Sequence, residues 1–302
     1  MSEVVAIACS DIHLSHNAPV ARSAESDWYA AMANSLIELS DLAAEYECPV
    51  ICGGDVFHKW NSPAELINFA IEELPKLYAV AGQHDLPHHS LEEVRRSAFY
   101  SAQLAATIKS LNSRPIRPVH NDFTLYGCAW EAEIPVPVKE EGKLSILVAH
   151  QYVYEDRSTC YGTAPKEAKV SRLEDQLKGY DVAIFGDNHT GFITKVGDCN
   201  VINCGSLMCR HADQRDYKPM VGLIYDDGHI EPHYMDISED KWSVEAVEDV
   251  EEVENPELAN LLEELRGLDV VDLDFRTAIR RHVNDEKVKP AVAKLLLEAI
   301  GD

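Results

Sequence analysis

Basic residues are scarce in this chain. It carries 27 Lys and Arg against 52 Asp and Glu, a formal net charge of −25. Proteins that grip nucleic acid over a broad face are normally basic, so that mode of recognition is excluded. A polyanion must be held by metal ions or by a local basic strip. Such a strip can act, because charge repulsion is screened beyond about 8 Å at physiological salt. A salty habitat or plain solubility accounts for the acidity equally well. Long apolar runs are also missing: none approaches the roughly 18 residues of a membrane span, so no membrane association is expected. Met1 to Ser10 has no basic stretch ahead of an apolar one, so no signal peptide is expected and a cytoplasmic location is. None of the eight cysteines forms a Cys-x-x-Cys pair, which removes a structural zinc knuckle. Several sit inside apolar runs and read as buried free thiols. There is no internal repeat and no low-complexity tract.

What is present is ordinary globular material. The chain has 302 residues, 46% of them hydrophobic, enough to bury roughly three quarters of its surface. Val4 to Cys9, Val50 to Gly53 and Leu77 to Ala81 read as strands. Between them, Asp27 to Tyr46 has helical spacing with Ser26 or Asp27 as cap. Pro63 to Leu74 reads as a helix with Ser62 as N-cap and Pro63 in the first turn. Leu91 to Leu111 reads as mostly helical. This βαβαβα order predicts an α/β sheet. The second half is richer in strands: Phe123 to Tyr126, Leu144 to Ala149, Val182 to Phe185, Gly191 to Val196, Asn200 to Asn203, Met220 to Tyr225 and His229 to Tyr234. Asp227-Gly228 marks a hairpin turn between the last two. Two sheets packed face to face, with helices outside, fit this distribution. Ser238 to Glu257 is an acidic break, read as a solvated linker or strap. Three short amphipathic helices follow near 257–265, 272–282 and 287–300.

Five short polar clusters punctuate the apolar runs. They are Ser10-Asp11-Ile12-His13, Gly53-Gly54-Asp55-Val56-Phe57-His58, Gly82-Gln83-His84-Asp85, Ala149-His150-Gln151 and Gly186-Asp187-Asn188-His189. Strand ends are where an α/β sheet places its site. Each cluster alone is a polar turn, and together they form a two-metal ligand set. Asp11 and His13 put an oxygen and a nitrogen ligand into one loop. The glycines before Asp55 let the backbone approach a ligand closely, so its carboxylate is placed to bridge two ions. Gln83 offers an amide oxygen. His84 is the candidate general acid or transition-state stabiliser, with Asp85 expected to fix its tautomer. His58 points into the same cleft or lies on the surface. His88 and His89 receive no role. Asp187 and His189 share a face about Asn188. One ion is then held by Asp11, His13, Asp55 and His189, the other by Asp55, Gln83, His150 and Asp187. This N/O set without thiolate suits manganese, iron, magnesium or zinc. Two ions about 3.5–4 Å apart activate water for in-line phosphoester hydrolysis.

The order Asp-x-His, Gly-Asp-x-x-His, Gly-amide-His-Asp, His and a final pair ending in His189 is similar to that of calcineurin-like metallophosphoesterases. Within them the chain most resembles SbcD-type DNA repair nucleases. The strings Gly54-Asp55-Val56-Phe57-His58 with Ser62-Pro63 after it, Ala149-His150-Gln151, and Asn203-Cys204-Gly205-Ser206-Leu207 carry that likeness, over residues 4 to 235. The resemblance implies a four-layer αββα sandwich in a catalytic domain at 1–237, a strap at 238–256 and a helical appendage at 257–302. It also implies manganese-dependent cleavage of DNA, as exonuclease or endonuclease, with His84 catalytic and His58 near the substrate phosphate. Two positions depart from the pattern. The family's amide ligand is Asn, where this chain has Gln83, and the first His of the last pair is Asp187. The oxygen-rich second site that results is expected to favour manganese or magnesium over zinc. The variant Gly-Asp-Asn-His is similar to that of phage-encoded relatives. An SbcC-type ATPase partner and a homodimer also follow from the resemblance. Only about 65 residues follow Ser238, serving either as a reduced docking element or as a lid.

Lys59, Arg95, Arg96, Arg157, Lys166, Lys169, Arg210 and Arg215 are scattered in expected loops and are candidates for contacting DNA, with Trp60 and tyrosines for base stacking. Three other functions compete. A small-molecule phosphodiesterase or nucleotidase is favoured by the acidity, and a closed pocket formed by Gln151 to Lys169 over the metals is its expected signature. A non-catalytic scaffold conflicts with the nearly complete ligand set. A protein phosphatase matches the motifs less well.

Overall fold

The structure is a computed structural model, and it describes residues 2–243 apart from 112–114, 117, 119–122, 161–163 and 212–213. Two sheets form the frame. The first runs β11-β10-β1-β2-β3-β4, the second β5-β6-β7-β9-β8. In the first sheet, β1 (Val4–Cys9), β2 (Val50–Cys52), β3 (Leu77–Ala79) and β4 (Ile108–Ser110) are parallel. The hairpin β10 (Met220–Tyr225) and β11 (Ile230–Tyr234) extends it antiparallel to β1. In the second sheet, β5 (Phe123–Cys128), β6 (Leu144–His150), β7 (Val182–Gly186) and β9 (Cys199–Asn203) are parallel, with β8 (Phe192–Val196) antiparallel on the edge.

Period-2 alternation builds the layers. On β1, Ala6 and Ala8 face the second sheet, where they meet Val148, Ile184 and Ile202. Ile7 and Cys9 face the helices on the other side. On β6, Ile146 and Val148 join the inter-sheet core, and Leu147 and Ala149 pack outward against Phe185 and Val201. Helix α1 (Trp28–Glu45) buries Trp28, Met32, Leu36, Leu39 and Leu42 in one stripe. Asp27 caps it by accepting from the Ala30 N–H at 3.0 Å. Helices α2 (Ala64–Glu73) and α3 (Ala98–Leu104) complete this layer. Over the second sheet the covering layer is a short 3-10 turn, Val170–Leu173, with loop, and no α-helix covers it among the described residues.

One local expectation is corrected and two are refined. Ser62 does not cap α2: its hydroxyl donates to the Lys59 carbonyl at 2.7 Å, and Pro63 occupies the N-cap. Leu91 to Leu111 is mostly helical, in two pieces, but ends in an unexpected strand. A 3-10 turn spans Leu91–Arg96, α3 follows, and Ala106, at φ 62°, ends it before edge strand β4. The start of the strap is solvated at Ser238, Glu239 and Lys241 and also pinned. The Ser243 N–H donates to the Ala21 carbonyl at 2.9 Å, and buried Arg22 pairs with Asp240 at 2.7 Å and Glu25 at 2.6 Å. The rest of the strap and the three C-terminal helices lie outside the described residues. Among the described residues no helix is long and apolar enough to cross a membrane, and no disulfide joins the cysteines.

Candidate metal centre

The carboxyl ends of β1, β2, β3, β6 and β7 point to one place, and each is followed by, or ends in, one of the five clusters. Asp11, His13, Asp55 and His150 are buried there. His13 Nε2 lies 3.1 Å from His189 Nε2 and 3.7 Å from both Asp11 Oδ1 and Asp55 Oδ2. His150 Nε2 lies 3.3 Å from Asp55 Oδ2 and 2.7 Å from Gln83 Oε1. Gln83 Nε2 donates to Asp187 Oδ1 at 2.7 Å. All seven expected ligands are thus brought together, and Asp55 stands between the two expected groups.

Local backbone geometry explains how. Asp11 (φ 49°), His13 (49°), Asp55 (51°) and Asp187 (79°) are all left-handed. For a residue with a side chain this costs on the order of 1–3 kcal/mol and persists where surrounding structure enforces it, most often at functional sites. Two glycines make room. A Cβ at Gly82 would sit 2.1 Å from Asp55 Oδ1, and one at Gly54, itself at φ 108°, would sit 2.4 Å from His150 Nδ1.

The donor set fits divalent ions. Asp55 Oδ2 is buried between two imidazoles, 3.3 Å from His150 Nε2 and 3.7 Å from His13 Nε2, and a buried carboxylate needs a cation near it. Oxygen and imidazole donors without thiolate match first-row divalent metals. Protonation is set by burial and mutual charge. Burial pushes Asp11 up to about 6 against the pull of His189 and His150. Burial, then the charge of Arg210, pushes His58 down to about 2, so it is neutral. Burial and then neighbouring His84 hold His13 well below the usual imidazole range. Burial opposes charge on His150, but Asp55 beside it holds its pKa well above the ordinary value. Geometry agrees, since His150 Nδ1 faces the Gly53 carbonyl at 2.7 Å and Nε2 faces the Gln83 amide oxygen. Two acceptors require two donors, so the metal-free ring is an imidazolium. Ligation by Nε2 must therefore release a proton, and apparent metal affinity rises with pH through neutrality. Calorimetric titration in buffers of different ionisation enthalpy checks this; zero net proton release near neutral pH would contradict it.

His84 and Asp85 are not arranged as expected. His84 Nδ1 donates to the His58 carbonyl at 2.9 Å, and that carbonyl fixes its tautomer. Asp85 accepts instead from the N–H groups of Phe57 at 2.9 Å, Gly82 at 3.1 Å and Val56 at 3.2 Å. Burial and the charge of Asp55 push it up to about 7 against these bonds. It is the clamp that joins the β2 and β3 loops. The His58 ring stacks on His84 at 5.3 Å, so it does share the cleft.

Other residues matter in ways the sequence patterns do not show. Asn188 donates to the carbonyls of Val153 at 2.7 Å and Thr159 at 2.8 Å, holding the loop between Asp187 and His189. Its signal was its place between two ligands. Arg210 is buried and donates to the His13 carbonyl at 2.9 Å, so it is not a surface contact for DNA. Arg215 is likewise engaged, with the Ser243 carbonyl and the Trp242 ring. Trp130 lies 6.2 Å from the His150 ring. It opens one wall of a cavity of about 650 Å³, which is also lined by His150, Asp187, Gln151, Tyr152, Pro165 and Ala168.

A model of the calcineurin-like phosphoesterase superfamily domain matches residues 5–223. No curated protein matches in sequence. Among solved structures, calcineurin-like phosphoesterase YfkN from Bacillus subtilis is 12% identical, with TM-score 0.46, covering 79% of this chain and 92% of that one. A metallophosphoesterase from Sphaerobacter thermophilus is 12% identical, with TM-score 0.41, covering 78% and 90%. A putative 5'-nucleotidase from Staphylococcus aureus is 11% identical, with TM-score 0.45. That comparison covers 76% of this chain and only 52% of the nucleotidase. At these identities the likenesses bear on neither substrate nor mechanism.

Proposed function

The chain belongs to the calcineurin-like phosphoesterase superfamily, and from that premise we propose that it is a manganese-dependent DNA nuclease of the SbcD type, acting in repair, recombination or replication. The observation that carries the phosphodiesterase reading is Asp55, one buried carboxylate set between His13 and His150. Asp11, His13, Asp55 and His189 would hold one ion, and Asp55, Gln83, His150 and Asp187 the other. When bound, two such ions lower the pKa of coordinated water from about 15.7 towards about 7 and offset phosphate charge.

The protein's own groups do the rest. His84 keeps its Nδ1 proton on the His58 carbonyl, so Nε2 is the atom that delivers a proton to the leaving oxygen. Neutral His58, stacked beside it, adds no repulsion to an imidazolium at His84. Exposed Lys59 follows His58 directly, and Trp60 carries the Arg96 guanidinium 5.7 Å above its ring. Arg96 is also paired with Glu93, so Lys59 is the exposed cation here that supports a polynucleotide substrate. His84→Ala is expected to lower kcat about 10²–10⁴-fold, the usual contribution of a general acid, with metal content unchanged. Unaltered kcat would remove His84 from the chemistry.

A second reading has a specific observation behind it. Gln151, Tyr152, Pro165 and Ala168, from the segment expected to close over the metals, do line the cavity at the centre. The cavity is open to solvent rather than closed, so the −25 charge is what favours a small nucleotide diester. Metal-stripped protein incubated with Mn(II) and end-labelled single- and double-stranded DNA decides between them, with bis(p-nitrophenyl) phosphate and cyclic nucleotides in parallel. DNA cleavage that needs both manganese and His84 supports the nuclease. Hydrolysis of small diesters alone moves the assignment to a nucleotide phosphodiesterase. At matched occupancy, manganese or magnesium should outperform zinc because Asp187 enriches one site in oxygen; equal rates would refute that preference.

A further inference from the structure

The proposed reaction leaves the cavity beside the centre unused. We propose that it is a nucleoside subsite, taking the single unpaired base attached to the scissile phosphate and preferring bases with an exocyclic amino group. This rests on the phosphodiesterase reading above.

Position comes first. His150 and Asp187 line the cavity and also belong to the ligand set. A group bonded to a phosphate at the centre therefore enters directly. Size is next: about 650 Å³ falls in the middle of the range for one small organic ligand, roughly 300–1,000 Å³. A base in a duplex reaches a side pocket only by leaving its stack, so the cavity selects unpaired nucleosides.

The lining chooses the chemistry. Trp130 and Tyr152 supply aromatic surface, which any base accepts by stacking. Trp130 offers aromatic surface only, since its indole N–H is buried away from the cavity. Glu131 and Glu133 also line the space, with the amides of Gln151 and Gln176. Two carboxylates repel a further phosphate. They accept from the amino group of adenine or cytosine, and they oppose the carbonyl that uracil or thymine places there. The cavity therefore takes the neutral part of a nucleotide, while the phosphate stays at the metals.

Calorimetry with the metal-stripped full chain tests this without turnover. Adenosine is expected to bind at least about tenfold tighter than uridine. Ala168→Trp, at a partly exposed position on the cavity wall, should abolish binding by filling the space, and Trp130→Ala should weaken it about tenfold or more. Equal binding of the two nucleosides, or adenosine binding untouched by Ala168→Trp, overturns the proposal. Bound adenosine displaced by a single strand ending in deoxyadenosine identifies a strand end as the source. Displacement by a linear dinucleotide alone identifies a small diester, and displacement by neither refutes the subsite. Manganese-dependent hydrolysis of bis(p-nitrophenyl) phosphate is scored separately. Hydrolysis without nucleoside binding sinks the subsite and leaves the phosphodiesterase standing. Nucleoside binding with no hydrolysis under manganese, magnesium, iron or zinc sinks the phosphodiesterase.

Discussion

Asp55→Asn lowers kcat/KM on a phosphodiester by about a thousandfold and leaves at most one ion per chain. The residue is fully buried, and its two oxygens have different work. Oδ1 accepts from the His84 N–H at 3.0 Å, while Oδ2 faces His13 and His150. Asparagine keeps the size, so the fold survives. The amide removes the negative charge shared between the two ligand groups. Loss of about 4 kcal/mol of transition-state stabilisation is a factor of about 10³, in the range of what metal clamping contributes. The check is metal content by elemental analysis beside steady-state kinetics. Two ions per chain with near-normal turnover would show that Asp55 does not bridge.

Asp85→Ala unfolds the site rather than detuning it. The carboxylate satisfies three backbone donors, those of Val56, Phe57 and Gly82. Its removal leaves all three buried and unpaired, at about 1–3 kcal/mol each when nothing replaces the acceptor. We expect a loss of about 3–5 kcal/mol, read as a fall of roughly 10 °C or more in Tm, with activity lost alongside. Had Asp85 acted on the His84 ring, the same change would shift the pH–rate profile and spare the Tm. Normal melting with a displaced pH optimum would restore that earlier role.

The candidate ligands were legible because each sits in a short motif directly after, or at the end of, an apolar run, so type and spacing are local properties. Asp11, His13, Asp55, Gln83, His150, Asp187 and His189 lie together at the strand ends. Asp85 was misread because its partners, Val56 and Phe57, lie 29 and 28 residues away, where adjacency to His84 suggested a nearer one. Arg210 looked like a loop cation because a single sequence does not show that the His13 carbonyl buries it. Strand β4 was hidden because three residues after a helix have no alternation to display. The left-handed ligand backbones had no compositional signal, since Asp and His take up such geometry far less readily than glycine.

The ligand set is divided between the sheets. Asp11, His13, Asp55 and Gln83 follow strands of the first, and His150, Asp187 and His189 those of the second. The His13 and His189 nitrogens that meet at 3.1 Å are 176 residues apart in the chain. During synthesis, then, the first half leaves the ribosome with its ligands exposed and their partners still untranslated. The centre can assemble only once residue 189 has been made and both sheets are in place, so a chain cut short before that point lacks it.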